Sequence, residues 1–182
     1  MRIHFMTVLS PLTLSLVLSA CSPEQNWREV TLEGSTLKAQ LPCKPDRTTR
    51  SVPLGGVPVD LQVVGCESGT AIVAVMTALL PPGADAHAVM LGWQKATLDN
   101  ARVSQPLGAG QQQAWHRPGQ LALASSVRIQ AQGLRAQGEP VKMDAVWGAV
   151  ADGERVRLIH AVVYDQKMSP EMTNTLFDGL KP

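Results

Sequence analysis

A surplus of either charge, aromatic side chains and long apolar runs are what this 182-residue chain has least of. Lysine and arginine total 16 against 15 aspartates and glutamates, and no basic run occurs, so nothing in the charge balance holds nucleic acid or anionic lipid. Aromatic residues make up only 4% of the chain, although four of them are tryptophan. There is no C-x-x-C, no G-x-S-x-G elbow, and no glycine loop followed by Lys-Ser or Lys-Thr. Those absences remove thioredoxin-type redox chemistry, the α/β-hydrolase nucleophile and the phosphate loop from the readings a single sequence can support. No metal-ligand spacing and no cofactor motif is present either.

The most apolar stretch, residues 5–18, is interrupted by Pro11 and several Ser and Thr residues. It is shorter than the roughly 20 residues that span a bilayer, so no transmembrane helix is expected. Arg2 before it supplies a positive n-region, and the pattern is that of a signal peptide. It ends in Leu18-Ser19-Ala20-Cys21, which resembles the lipobox of bacterial lipoproteins at all four positions. The resemblance implies cleavage before Cys21, a diacylglyceryl group on its sulfur, and acylation of the new amine. Two or three acyl chains give the stable anchoring that one does not, at about 0.8 kcal/mol per buried methylene. A plain cleaved leader with an incidental cysteine is the alternative. By the sorting rule of that family, Ser22, not being Asp, implies the periplasmic face of the outer membrane.

Residues 1–20 are thus expected to be a leader, 21–26 a lipidated terminus and tether, and 27–182 one α+β domain. Residues 22–26, fully extended, reach roughly 17 Å. Without the leader, 15 basic side chains face 15 acidic ones, which leaves acyl chains as the expected membrane attachment. Assigning Cys21 to lipid leaves Cys43 and Cys66, and in an oxidising compartment they are expected to form a disulfide. With no histidine near either cysteine in sequence, a redox or metal-binding thiol pair is the weaker reading.

Residues 27–32 and 36–41 alternate as strands around Glu33-Gly34-Ser35, and 48–52 begins a second hairpin through Pro53-Leu54-Gly55-Gly56-Val57-Pro58. Val59, Leu61 and Val63 share one face of the next strand, which Cys66 is expected to end. Residues 71–80 are apolar on both faces; β-branched content favours a central strand over a buried helix. Asp85 is placed to cap a helix to about residue 101, with Val89, Met90, Trp93, Ala96 and Thr97 on one stripe. Residues 103–113 read as loop or weak edge strand. Leu121 to Ala131 and Val141 to Ala149 alternate as strands, with Lys142 and Asp144 on the polar face of the second. Asp152-Gly153 signals a hairpin into 155–164. Ser169-Pro170-Glu171 opens a last helix that turns Met172, Leu176, Phe177 and Leu180 inwards. The expected fold is a mostly antiparallel sheet covered by a mid-chain helix and a C-terminal helix.

In that order the chain resembles the PsbP-like and Mog-like α+β sandwich proteins. The resemblance is carried by Leu37-Lys38-Ala39-Gln40-Leu41-Pro42-Cys43-Lys44-Pro45, similar to that family's opening strand and F-x-V-x-x-P-x-x-P stop, and by the final Phe177-Asp178-Gly179-Leu180. Leu37 stands where an aromatic is usual and Cys43 where glycine is frequent. The resemblance implies an accessory, assembly or chaperone-like binding protein without a shared catalytic constellation, so no site residue follows from it.

Among the histidines, His87, His116 and His160 fall in a helical turn, a loop and a strand, and His160 is expected in or at the edge of the core. Trp93 and Trp147 fit core stripes. Trp27 and Trp115, with Arg117 close to the latter, form the candidate binding surface, against the plainer alternative that both rings pack on the sheet. The expectation for function is a lipid-anchored accessory or binding module of the envelope, not an enzyme, meeting an envelope protein partner. An envelope hydrolase with dispersed residues is the alternative from another class, and a purely structural lipoprotein is a third.

Overall fold

The computed structural model describes residues 25–182. The expected leader, Cys21 and residues 22–24 of the tether lie outside the described residues. No helix among the described residues is long and apolar enough to cross a membrane.

In chain order the elements are β1 (Arg28–Thr31), β2 (Lys38–Leu41), β3 (Asp46–Leu54), β4 (Val57–Ser68), β5 (Ala71–Leu79), α1 (Ala86–Asn100), β6 (Gln112–Ala114), β7 (Val127–Leu134), β8 (Pro140–Asp152), β9 (Arg155–Asp165) and α2 (Pro170–Asp178). β1 and β2 make a separate antiparallel ribbon. The other seven strands form one antiparallel sheet in the order β3-β4-β5-β9-β8-β7-β6. The mostly antiparallel α+β class expected from the sequence is the one observed.

Local chemistry sets the connections. Gly55 and Gly56, at φ 56° and 85°, close the β3–β4 hairpin between paired Leu54 and Val57, as a type I′ turn requires. Asp152 pairs with Arg155 across Gly153-Glu154. Asp85 caps α1 by accepting from the backbone N–H groups of His87 and Ala88, and Ser169 caps α2 by accepting from that of Met172.

The central strands carry apolar side chains in both directions. On one face Val73, Val75, Val146, Ile159, Ala161 and Val163 pack beneath the β1–β2 ribbon and α2, which contribute Leu37, Ala39, Leu41, Met172, Leu176 and Phe177. On the other, Ala78, Met143, Ala145, Trp147, Leu158 and Val162 pack beneath Val89, Met90, Trp93 and Leu98 of α1. Each Val, Leu, Ile, Met or Phe among them that is removed from water is worth about 1.5–3 kcal/mol, which is why α1 on one face and α2 with the ribbon on the other suffice as covers.

Four expectations need correction. Ala96 is exposed; Gln94 and Leu98 fill the buried stripe of α1 instead. The expected strand over 121–131 begins only at Val127, because residues 121–126 turn over the sheet, Leu121 N–H donating to Ala149 O and Ser126 N–H to Leu123 O. β4 does not end at Cys66 but runs on to Ser68. Asp144 does not face solvent: it is 1% exposed under α2, gripped by the Arg128 Nε and Nη2 donors at 2.8 and 2.6 Å and by Gln130 Nε2 at 2.8 Å.

Cys43 and Cys66 form the expected disulfide, with Cα atoms 6.0 Å apart and a sequence separation of 23. It ties the segment after β2 to β4 and so holds the ribbon onto the sheet. A loop of that length constrains the unfolded chain by about 3 kcal/mol. Cys43→Ser/Cys66→Ser is therefore expected to lower the unfolding free energy by about 3 kcal/mol in urea titrations. A midpoint unchanged from the oxidised protein would show that the bond contributes nothing.

Candidate functional site

The side chains singled out by sequence are only partly at the surface. Trp115 is 7% exposed and belongs to the core beneath α2 and the ribbon; Trp27 is half-buried against the same cluster, its Nε1 donating to Gln25 Oε1 at 3.2 Å. Both rings thus pack on the sheet side of the molecule, and neither is a free aromatic anchor. Arg117 lies 5.9 Å over the Trp115 ring and pairs with Asp178 at the end of α2, so its charge is engaged in fastening the 115–120 loop to that helix.

A different surface concentrates unengaged polar groups. At the foot of the β7–β8 hairpin an open groove of about 710 Å³ is lined by Arg102, Ser104, Gln132, Lys142 and Gln166 over a floor that includes Leu134 and Pro140. Its geometry begins at the end of α1. The N–H of Val103 bonds the carbonyl of Leu98 and that of Arg102 the carbonyl of Asp99, a Schellman ending whose left-handed position is filled by Arg102 at φ 51°. Glycine takes that conformation freely, whereas a side chain costs roughly 1–2 kcal/mol. The helix end then fastens onto the sheet: Leu134 N–H donates to Ala101 O at 2.7 Å. A β-carbon on the neighbouring Gly133 would stand 2.1 Å from that oxygen, so only glycine permits the approach.

The electrostatics of the groove are one-sided. Among the described residues neither the Arg102 guanidinium nor the Lys142 ammonium has a hydrogen-bond or ion-pair partner, and no carboxylate lines the groove. Gln132 and Lys142 are register partners on β7 and β8 and present their side chains on the same face. A second hollow of about 400 Å³ shares Leu134 and Val141 with the first and adds Ile72, Tyr164 and Arg135. Ile72 is 36% exposed, and burial pushes the Tyr164 phenol up to about 12. Sequence reasoning missed this groove because its residues come from four separated segments. The one local signal was an arginine in the place where a helix most readily takes glycine.

No family model, no curated protein and no solved structure matches this chain. Its chemistry therefore has to be read from its own side chains. Among the described residues no group of three His, Cys, Asp or Glu side chains is placed to hold a metal ion.

The histidines are dispersed. His87 is exposed in the first turn of α1, and His116 Nε2 lies 3.0 Å from Gln120 O. His160 is the expected core histidine: 1% exposed, stacked at 4.2 Å on Trp147 and edge-on at 5.3 Å to Trp93. Its Nδ1 lies 3.0 Å from Val146 O, and since a carbonyl only accepts, Nδ1 carries the proton. Burial lowers its pKa to about 4, the Val146 bond opposing in part.

The free imidazole titrates near 6.5, so between about 6.5 and 4 the unfolded chain binds the extra proton. Stability contributed by neutral His160 is complete above pH 6.5 and declines progressively down to pH 4, by about 3 kcal/mol in total. His160→Phe keeps the ring against Trp147 and is expected to flatten that decline. Urea midpoints measured between pH 7 and 4 check it, and equal slopes in both proteins would show that His160 does not govern the loss.

Proposed function

We propose that this protein is a lipid-anchored accessory module of a bacterial cell envelope, a PsbP- or Mog-like sandwich held at the periplasmic face of the outer membrane. It binds another envelope component through the groove at the foot of β7 and β8 and catalyses no reaction. The observation that carries this reading is the Cys43–Cys66 bond. It consumes two of three cysteines and leaves Cys21, at the end of Leu18-Ser19-Ala20-Cys21, as the odd sulfur of a chain suited to an oxidising compartment. The groove supports the binding role, since it gathers unpaired cations and amides in a concave place without an adjacent nucleophile and base.

Fractionation of cells producing the chain and its Cys21→Ser variant tests the anchor. The parent chain is expected in the membrane fraction with an acylated N-terminal Cys21 by mass spectrometry, and the variant as a soluble or unprocessed form. Membrane retention of a correctly cleaved variant would overturn the reading.

A further inference from the structure

The two hollows that meet at Leu134 and Val141 differ in character, and that difference defines a ligand. One side offers Arg102 and Lys142, both without counter-charge, with Gln132 and Ser104 as further donors. The other is lined by exposed Ile72 and by half-buried Leu134 and Tyr164 over buried Val141, beside Arg135, where α1 ends at Asn100. Pairs without carboxylate in the lining attract an anion, and exposed apolar side chains beside them attract a hydrocarbon portion. We propose that this composite groove binds an anionic amphiphile, a single molecule with a phosphate or carboxylate head at Arg102 and Lys142 and an acyl portion along Leu134 to Ile72.

The orientation follows from the surrounding charges. Glu67 and Glu139 line a small hollow beyond Ile72, next to Arg135, which donates to Thr70 O at 3.0 Å. Arg135 is already engaged there, so the unpaired cations Arg102 and Lys142 mark the head-group end. The position of the chain's start points to the same class of ligand. Asn26 N–H bonds Pro42 O, next to Cys43, whose disulfide partner Cys66 precedes Glu67, the register partner of Ile72. The chain therefore enters the fold at the end of the sheet where Ile72 lies. If Cys21 is acylated, the tether of about 17 Å keeps that end at a bilayer, where amphiphiles are concentrated.

This inference rests on the groove being the binding site, and its test is independent of the anchor. The full chain carrying Cys21→Ser is titrated calorimetrically with dodecyl phosphate below its micelle concentration, and in parallel with inorganic phosphate and with dodecyl maltoside. Dodecyl phosphate is expected to bind at least about tenfold more tightly than either comparison probe. Arg102→Gln combined with Lys142→Gln should weaken it at least about tenfold, since each charge-assisted hydrogen bond carries that order of affinity. Ile72→Ser should weaken dodecyl phosphate several-fold and leave inorganic phosphate unchanged. All three substituted side chains are at the surface, so folding is expected to be retained. Equal binding of inorganic phosphate would reduce the groove to a simple anion site. Equal binding of the maltoside would reduce it to an apolar patch, and either outcome, or absence of binding, overturns the proposal. A failed anchor shows instead in the fractionation of the parent chain.

Discussion

The central strands β5, β8 and β9 place apolar side chains on both sides of one sheet, and an antiparallel sheet apolar on both faces needs two covers before it is stable in water. Everything else in the fold answers that need. α1 is spent on one face; α2 and the β1–β2 ribbon are spent on the other. The ribbon is the smaller of these pieces and is held covalently, through Cys43 and Cys66. A two-stranded hairpin alone is marginal in water, so its dependence on the disulfide and on α2 follows from its size.

Two covers that size do not reach every corner of a seven-stranded sheet, and the polar residues that end up under them must be satisfied from within. Asp144 lies under α2, and Arg128 answers it with two parallel donors while also lying 5.0 Å over the Phe177 ring and reaching Asn174 and Thr173. Replacing one member would leave a buried charge unpaired, which costs several kcal/mol even where the pair itself is worth little. Arg157, 3% exposed, is answered in the same way by Asp152 and the Gly34 carbonyl. His160 takes the other course and stays neutral between two tryptophans. These choices explain why so apolar a sheet tolerates titratable groups at its centre.

What could be read from the sequence divides along the same line. Elements with a strong period and a chemically defined end were legible: α1 with its Asp85 cap, α2 with Ser169-Pro170, the β8–β9 hairpin at Asp152-Gly153, and the central strand at Ala71–Leu79. The disulfide was legible from counting cysteines. Alternation misled where tertiary cover overrode it, as at Asp144, which sits on the expected polar face yet under a helix. It misled again at Leu121 and Leu123, whose spacing is that of a strand although Ser125 and Ser126 follow in a turn and both leucines fold over the edge of the core. Trp115 was open to either reading because Pro118 and Gly119 mark a loop, but a loop can lay a ring on the sheet, and Gly148 beneath it makes room for that ring. The lipobox stands outside the described residues, so its reading rests on sequence pattern alone.

The groove is where local preferences give way together. α1 ends with arginine in a left-handed turn that glycine adopts at no steric cost, and two residues of β7, Gly133 and Leu134, are shaped around the Ala101 carbonyl. A helix end held by a hydrogen bond to a strand edge would be equally well made with glycine at 102, so packing does not ask for the guanidinium. Sequences that satisfy their fold at each level tend to break a local rule where something other than stability is served. Here the departure brings a cation to the edge of a partly exposed apolar surface, opposite Lys142, in a chain whose charges otherwise balance. On the reading proposed above, the guanidinium kept at this conformational cost and without a partner of its own is the group that meets the head of an outside ligand.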